Sequence, residues 1–324
     1  MSGPHRRALI GATVLIPLVI AIALAAFAWP AARLAPRDLP IGVAGPGAGS
    51  IEQRLAERTG AFDVRRYEDE TAVRAAIEDR EVYGAVVATP SGMTVLTASA
   101  ASPLVAQLLQ QAFAAPANAG GPPVTVVDVV AADADDPRGA ALGASVFPLV
   151  LAGVLIGVAL SFVARPGLEQ AAALIVAATL TGLVATGVAQ GWLGIFGGNW
   201  LLNAGVLSLT VLAIGATVAG LAALLGRAGL PLGALLMVFV GNPFSGVTTA
   251  PELLPQAAGV IGQLLPPGAG GTLLRSTAFF DGAGATWPLV VLGTWTLLGL
   301  MAVGVAALRP ARAAAVESAA PVPA

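Results

Sequence analysis

The sequence predicts a polytopic α-helical membrane protein with six transmembrane helices and an inserted extracytoplasmic α/β domain. The chain of 324 residues is 56% hydrophobic and only 10% charged, with a mean hydropathy of +0.84, whereas an ordinary soluble domain carries about a quarter charged residues. Six apolar stretches contain no Asp, Glu or Arg, and each approaches the ~20 residues that a helix needs to cross a bilayer. Most charged residues fall instead in one segment, residues 31–139.

The first apolar stretch, residues 8–29, is predicted to be a retained anchor, so that residues 1–30 form an N-terminal transmembrane domain. A cleaved signal peptide is the alternative, because Arg6 and Arg7 supply a positive start and Ala-Phe-Ala at 26–28 resembles a cleavage site. The apolar run is longer than the ~7–15 residues of a signal peptide. Its length therefore favours the anchor.

Residues 31–139 are predicted to form a compact α/β domain. Apolar and polar residues alternate over 62–67, which is the period of a half-buried strand, and Thr-Pro-Ser-Gly at 89–92 suits a hairpin turn. Val73 and Ile77 lie four residues apart, on one face of a helix. The predicted strands are 41–44, 62–67, 82–88, 93–97 and 124–130, and the predicted helices are 51–58, 71–79 and 102–115.

Three acidic residues, Asp133, Asp135 and Asp136, follow the last predicted strand. Two interpretations are open, a cation site and a solvated linker whose Asp136 caps the second span. The linker is favoured, because Asp is a common residue at the start of a helix.

Residues 140–309 are predicted to form a five-helix transmembrane bundle, with spans at 140–164, 171–193, 200–225, 230–249 and 287–308. Pairs of glycines four residues apart, Gly153 with Gly157 and Gly187 with Gly191, allow helices to approach closely. The spans lack the mid-membrane acid or base that proton-coupled transport usually needs. The Ala- and Pro-rich residues 310–324 are predicted to be a disordered cytoplasmic tail.

Two irregularities interrupt the bundle. Pro243 lacks a backbone donor and disfavours helix at Asn242, so this pair is a candidate helix break or gate. Residues 251–284 show apolar residues at helical spacing, a Pro-Pro-Gly break at 266–268 and a second segment at 272–280. The pattern predicts two short helices that dip into the outer leaflet or lie on it. The alternative is an interfacial loop with no role in transport. The candidate functional residues of this element are Pro251, Glu252 and Arg275.

The placement of arginines predicts the orientation. Basic residues concentrate on the cytoplasmic side of membrane proteins, and six arginines lie at one set of span ends: Arg6, Arg7, Arg165, Arg227, Arg309 and Arg312. Both termini are therefore predicted to be cytoplasmic, with residues 31–139 outside. The expected location is the cell (plasma) membrane, crossed several times.

The composition excludes most catalytic chemistry. The chain has no Cys, no Lys and a single His, His5, which excludes thiolate catalysis, a P-loop and a Ser-His-Asp triad. A formal charge of −2 gives no reason to expect nucleic acid as a partner. The sequence therefore predicts neither an enzyme nor a cofactor or metal site.

Two stretches carry a family likeness when taken with the overall layout. One is Tyr-Gly-Ala-Val-Val at 83–87, and the other is the run from Pro251-x-x-Leu254-Pro255 through Leu-Pro at 265–266 to Leu-Arg at 274–275. With these stretches the chain resembles the type-2 ABC exporter permeases, including the phage-infection-protein-like branch. The resemblance implies a transmembrane subunit that pairs as a homodimer or heterodimer and binds a cytoplasmic ABC ATPase. The candidate residues for docking that ATPase are Arg165, Glu169 and Arg227.

The predicted function is therefore that of a permease subunit of an ABC-type exporter, without ATPase motifs of its own. Its substrate is expected to be amphipathic or hydrophobic, because the spans are apolar and uncharged. The alternative is a non-transporting envelope receptor or scaffold whose external domain binds a partner. The short loop at 164–170 supports this alternative, because the exporters use that loop to contact the ATPase.

Overall fold

The computed structural model describes residues 3–89, 92–114 and 124–318, and the fold is mostly helical with one small mixed sheet. Helix α1 (Gly3–Ala32) comes first. The α/β domain follows, with β1 (Leu39–Ala44), α2 (Ala48–Ala56), β2 (Phe62–Arg66), α3 (Glu70–Glu78), β3 (Gly84–Thr89), β4 (Gly92–Thr97), α4 (Pro103–Ala114) and β5 (Val124–Asp128). The bundle contains α5 (Ala140–Val163), α6 (Leu168–Thr186), α7 (Trp200–Leu225), α8 (Gly229–Leu235), α9 (Gln256–Gln263), α10 (Pro266–Phe279) and α11 (Thr286–Ser318).

The sheet has the order β2-β1-β3-β4-β5. Strand β1 is parallel to β2 and β3, β3 and β4 form an antiparallel hairpin, and β5 is parallel to β4. Thr89 pairs with Gly92 at the predicted turn, whose central residues 90–91 lie outside the described ones. Each strand and helix predicted between residues 41 and 130 corresponds to an element of the structure.

The sheet carries an apolar core on each face, and each core includes one buried residue from the 251–284 segment. One face packs against α2 and α4 around Ile41 and Val86, and Leu253 completes this core. The other packs against α3 around Ile77, and Phe280 completes it. The domain is therefore built partly from chain that lies more than 100 residues beyond its own last strand.

Helix α7 is the centre of the bundle, with α5, α6, α10 and α11 packed around it. Small residues make these approaches close: a Cβ at Gly157 would lie 2.6 Å from the Gly215 carbonyl oxygen, and one at Gly220 would lie 2.8 Å from that of Gly299. The predicted role of Gly153 and Gly157 in helix packing is confirmed. Gly187 and Gly191 differ, because their Cβ positions face open space.

Within the residues that the structure describes, five helical stretches are long and apolar enough to cross a membrane: Thr13–Ala32, Ala140–Val163, Leu168–Trp192, Trp200–Gly241 and Thr286–Leu308. This agrees with a polytopic helical membrane protein, although six separate spans are not confirmed. The fourth stretch is a hairpin, because the chain reverses at Gly226 (φ +68°) and Gly233 of α8 packs against Val218 of α7.

The arm of the hairpin that was predicted as the span 230–249 is short. Helix α8 continues as a π-helix over Leu236–Gly241, and a turn follows. Thirteen residues, Gly229 to Gly241, rise at most about 20 Å at ~1.5 Å per residue, less than the ~30 Å apolar core of a bilayer.

Two further boundaries differ from the prediction. Helix α11 continues to Ser318, so residues 310–318 are helical, and the rest of the predicted tail lies outside the described residues. The two short helices predicted between residues 251 and 284 are present as α9 and α10. The second begins earlier than predicted, at Pro266 and Pro267, because the first turn of a helix needs no backbone donor at those positions.

Candidate functional site

The α/β domain meets the bundle along residues 251–284. The backbone N–H groups of Ala35 and Arg37 donate to the carbonyl oxygens of Leu253 and Glu252, at 3.0 and 2.9 Å. The Arg37 guanidinium also donates to the Leu253 carbonyl oxygen at 2.9 Å. These hydrogen bonds join the domain to the bundle in addition to the apolar contacts of Leu253 and Phe280.

A cavity of about 250 Å³ lies within this junction. The α/β domain contributes Arg80 and Tyr83 to its wall, and the bundle contributes the polar side chains of Glu252, Gln263, Thr272 and Arg275. We call this space the junction cavity.

Arg80 reaches from the end of α3 to the surface of α10. It has a positive φ of 60°, and its Nη1 donates to the Thr272 carbonyl oxygen at 3.1 Å and to the Ser276 hydroxyl. Its guanidinium carbon lies 5.2 Å from the centre of the Phe280 ring, within the range of a cation–π contact. Burial lowers the pKa of Arg80, while Tyr83 and Glu252 act in the opposite direction.

Tyr83 and Glu252 form the second link across the junction. The Tyr83 hydroxyl donates to Glu252 Oε2 at 2.8 Å. Burial, reinforced by the neighbouring Glu252 carboxylate, raises the pKa of Tyr83. Tyr83 is therefore a neutral donor at physiological pH, and its hydrogen bond holds the Glu252 carboxyl group at the cavity wall.

Arg275 lies deepest, with only 5% of its surface exposed. Its Nη2 donates to the Val247 carbonyl oxygen at 2.5 Å, and its Nε is buried without a hydrogen-bond partner. Burial and then the nearby charge of Arg80 lower the pKa of Arg275 to about 10. Since that value stays well above neutral pH, Arg275 is a cation. Arg80 is taken as a cation as well, because the guanidinium group keeps its charge in proteins.

Two more cavities, each of about 380 Å³, adjoin the junction cavity. One lies between α1, α5 and the turn after α8, and it is lined by Phe27, Phe147, Asn242 and Pro243. The other lies beside α9 and reaches Trp287. All three spaces surround residues 246–254. Asn242 and Pro243, predicted as a helix break, thus border a cavity at the point where the hairpin arm ends.

The three residues predicted to dock an ATPase are at the opposite end of the bundle. Arg165 and Glu169 share the turn between α5 and α6, where the Arg165 N–H donates to Glu169 Oε1 at 3.4 Å. A Cβ at Gly167 would lie 3.0 Å from Cβ of Ala307, so this turn adjoins α11. Arg227 occupies the separate turn between α7 and α8, and all three charged residues are exposed.

The acidic run favours a linker. Asp136 is buried and its carboxylate accepts from the Leu142 N–H in the first turn of α5 at 2.9 Å. The helix begins three residues later than the predicted cap requires, with Gly139 at the N-cap position, so Asp136 bonds the helix start from outside it. The described residues contain no group of three or more His, Cys, Asp or Glu that could hold a metal ion.

Of the residues that line the junction cavity, the sequence singled out Pro251, Glu252 and Arg275 as candidates. It did not single out three others: Arg80, Gln263 and Thr272. The one available signal was Arg80 at the end of a predicted helix, followed within three residues by a tyrosine. No family model, curated protein or solved structure matches this chain. Its function is therefore argued from the geometry of the junction and the bundle.

Proposed function

We propose that this chain is the membrane-spanning permease subunit of an ABC-type exporter, which moves an amphipathic or hydrophobic substrate and is energised by a separate cytoplasmic ATPase. One observation carries the proposal. A polar cavity and two cavities with largely apolar walls adjoin one another around residues 246–254. A molecule with an apolar body and a polar end fits such a lining better than a purely polar solute does.

The apolar helices support the same class of substrate. Within the five long stretches, charged side chains occur only at a helix start, Glu169, and at a hairpin turn, Arg227. A bundle without mid-membrane charge offers no relay for protons, and a chain without Lys has no P-loop. The energy for transport would therefore come from an ATPase partner.

The exposed charges of Arg165, Glu169 and Arg227 are the proposed docking surface for that partner. Helix α7 would transmit a displacement of this surface to the junction, because its C-terminal end adjoins Arg227 and it packs against α10. Asn242 and Pro243, between α8 and residues 246–254, are the proposed gate. A second permease copy, identical or related, would complete the exporter in the plasma membrane, with both termini cytoplasmic.

The test is affinity purification of the full chain from its native membrane. We expect a nucleotide-binding ATPase to copurify, and we expect Arg227→Glu to reduce its amount about tenfold or more, the scale of one lost interfacial charge pair. The matched control is Arg66→Glu, an exposed arginine of the α/β domain. Recovery without any ATPase, under conditions that preserve known permease complexes, would overturn the proposal.

A receptor or scaffold is the second candidate, and the short α5–α6 turn favours it. Only residues 164–167 separate these helices, which leaves little surface for an ATPase. Reconstitution distinguishes the two functions: ATP-dependent movement of a fluorescent lipid in vesicles supports the exporter. A partner held by the α/β domain, with no such movement, supports the scaffold.

A further inference from the structure

The junction cavity has an excess of positive charge. Arg80 and Arg275 contribute two cations to the lining, whereas Glu252 contributes one half-buried carboxylate. Glu81 also borders the cavity, but its side chain is exposed and its carboxylate accepts from Tyr67 at 3.2 Å, so solvent screens it. Among the described residues, the ion pairs within 4.0 Å involve neither Arg80 nor Arg275.

Arg275 is short of partners as well as of counter-charge. A guanidinium has five N–H donors, and the hydrogen bond to Val247 uses one of them. Its Nε is buried with no acceptor. Buried charges in proteins are normally paired and hydrogen-bonded, because removing them from water is costly. A buried, unpaired arginine on the wall of a cavity therefore indicates that an anion completes the site.

We propose that the junction cavity binds a singly charged phosphate group, carried either by a phospholipid headgroup or by free phosphate. Two arginines less one carboxylate leave one positive charge, which matches this ligand. The planar guanidinium presents paired donors that suit phosphate oxygens. The cavity volume of about 250 Å³ leaves room for the group and part of a headgroup. The inference does not depend on transport, because a scaffold would contain the same site.

The experiment uses the full chain, purified in detergent and stripped of lipid. Inorganic phosphate and phosphatidylglycerol are titrated separately against a chloride control of equal ionic strength, with Tm as the measurement and native mass spectrometry to identify the adduct. A rise in Tm with either ligand supports the proposal, and the arm in which it occurs identifies the source. No rise and no adduct in either arm overturns it.

Variants with opposite expected effects separate binding from folding. Arg275→Gln and Arg80→Gln should each weaken the apparent affinity for the effective ligand about tenfold or more, because each removes a charged donor. Glu252→Gln should strengthen it, because it removes the competing negative charge while retaining an acceptor for Tyr83. Arg66→Gln, on the exposed end of β2, should bind as the wild type does. Equal affinity in all four variants, or weaker binding in Glu252→Gln, would refute the site.

Discussion

Phe280→Ala tests how firmly the α/β domain is joined to the bundle. Phe280 follows α10, yet it is 5% exposed and lies in the α3-side core of the sheet. Truncating a buried phenylalanine costs about 3–5 kcal/mol through lost burial and the cavity left behind. The lost cation–π contact with Arg80, at 5.2 Å, adds about 1 kcal/mol.

The assay compares Phe280→Ala with Phe162→Ala, whose side chain is 66% exposed on α5. Both variants are heated in the same detergent, and cleavage of the α/β domain is followed by limited proteolysis. We expect Phe280→Ala to lower the Tm of the domain and to speed its cleavage, while Phe162→Ala changes stability by less than about 0.5 kcal/mol. Equal melting and cleavage of the two variants would show that Phe280 is no part of the domain core and would refute the reasoning.

Three further predictions concern the junction, the packing and the orientation. The raised pKa of Tyr83 means that above pH 10 the unfolded chain loses this proton first, so stability falls as pH rises beyond 10. Tyr83→Phe should lessen that fall in a Tm series from pH 8 to 11, and an unchanged slope would exclude Tyr83 as the cause. Gly157→Leu should destabilise the bundle by more than about 2 kcal/mol. Gly187→Leu is the control, because open space surrounds the Cβ position there, and it should leave stability unchanged. Equal unfolding of the two variants in SDS titrations would contradict this. Because the chain has no Cys, Glu57→Cys and Arg227→Cys each supply one unique thiol, and an impermeant maleimide should label only the first from outside intact cells.

The α/β elements were predictable because their signals are local. Alternation over 62–67 marks β2, and a hairpin turn at 89–92 separates β3 from β4. Residue type indicated that Asp136 bonds the start of α5, but the helix begins at Ala140, so the bond reaches six residues ahead to Leu142. Burial of one sheet face by Leu253 had no such signal, because that residue is separated from β1 by some two hundred positions.

The hairpin of α7 and α8 shows why counting apolar runs fails at the bundle. Residues 230–249 are as apolar as a true span, but the hydropathy of a segment does not show where its helix ends. The stop depends on the π-helical turn at Leu236–Gly241 and on close packing: a Cβ at Gly241 would lie 2.8 Å from Cγ of Pro267. That contact joins two segments whose approach no local pattern encodes.

The missed arginine illustrates the same limit for the site. Arg80 sits in a run of mixed charge that has the spacing of a solvated helix face. Its positive φ instead turns the chain after α3, and the side chain enters a junction whose other wall is α10. Sequence reasoning can rank Arg275 as unusual, since it is a charge in an apolar segment, but it cannot pair it with Arg80.

The two faces of the sheet constrain how the domain can move. Leu253 lies in the core of one face and Phe280 in that of the other, so residues 251–284 clamp the sheet from both sides. Tilting the domain away from one face would compress the other, because packed cores resist deformation. The contacts of Leu253 and Phe280 therefore restrain movement of the domain relative to residues 251–284. The junction cavity is lined by both the domain and α10, so a ligand bound there would add to this restraint by favouring the arrangement of the two that it binds more tightly.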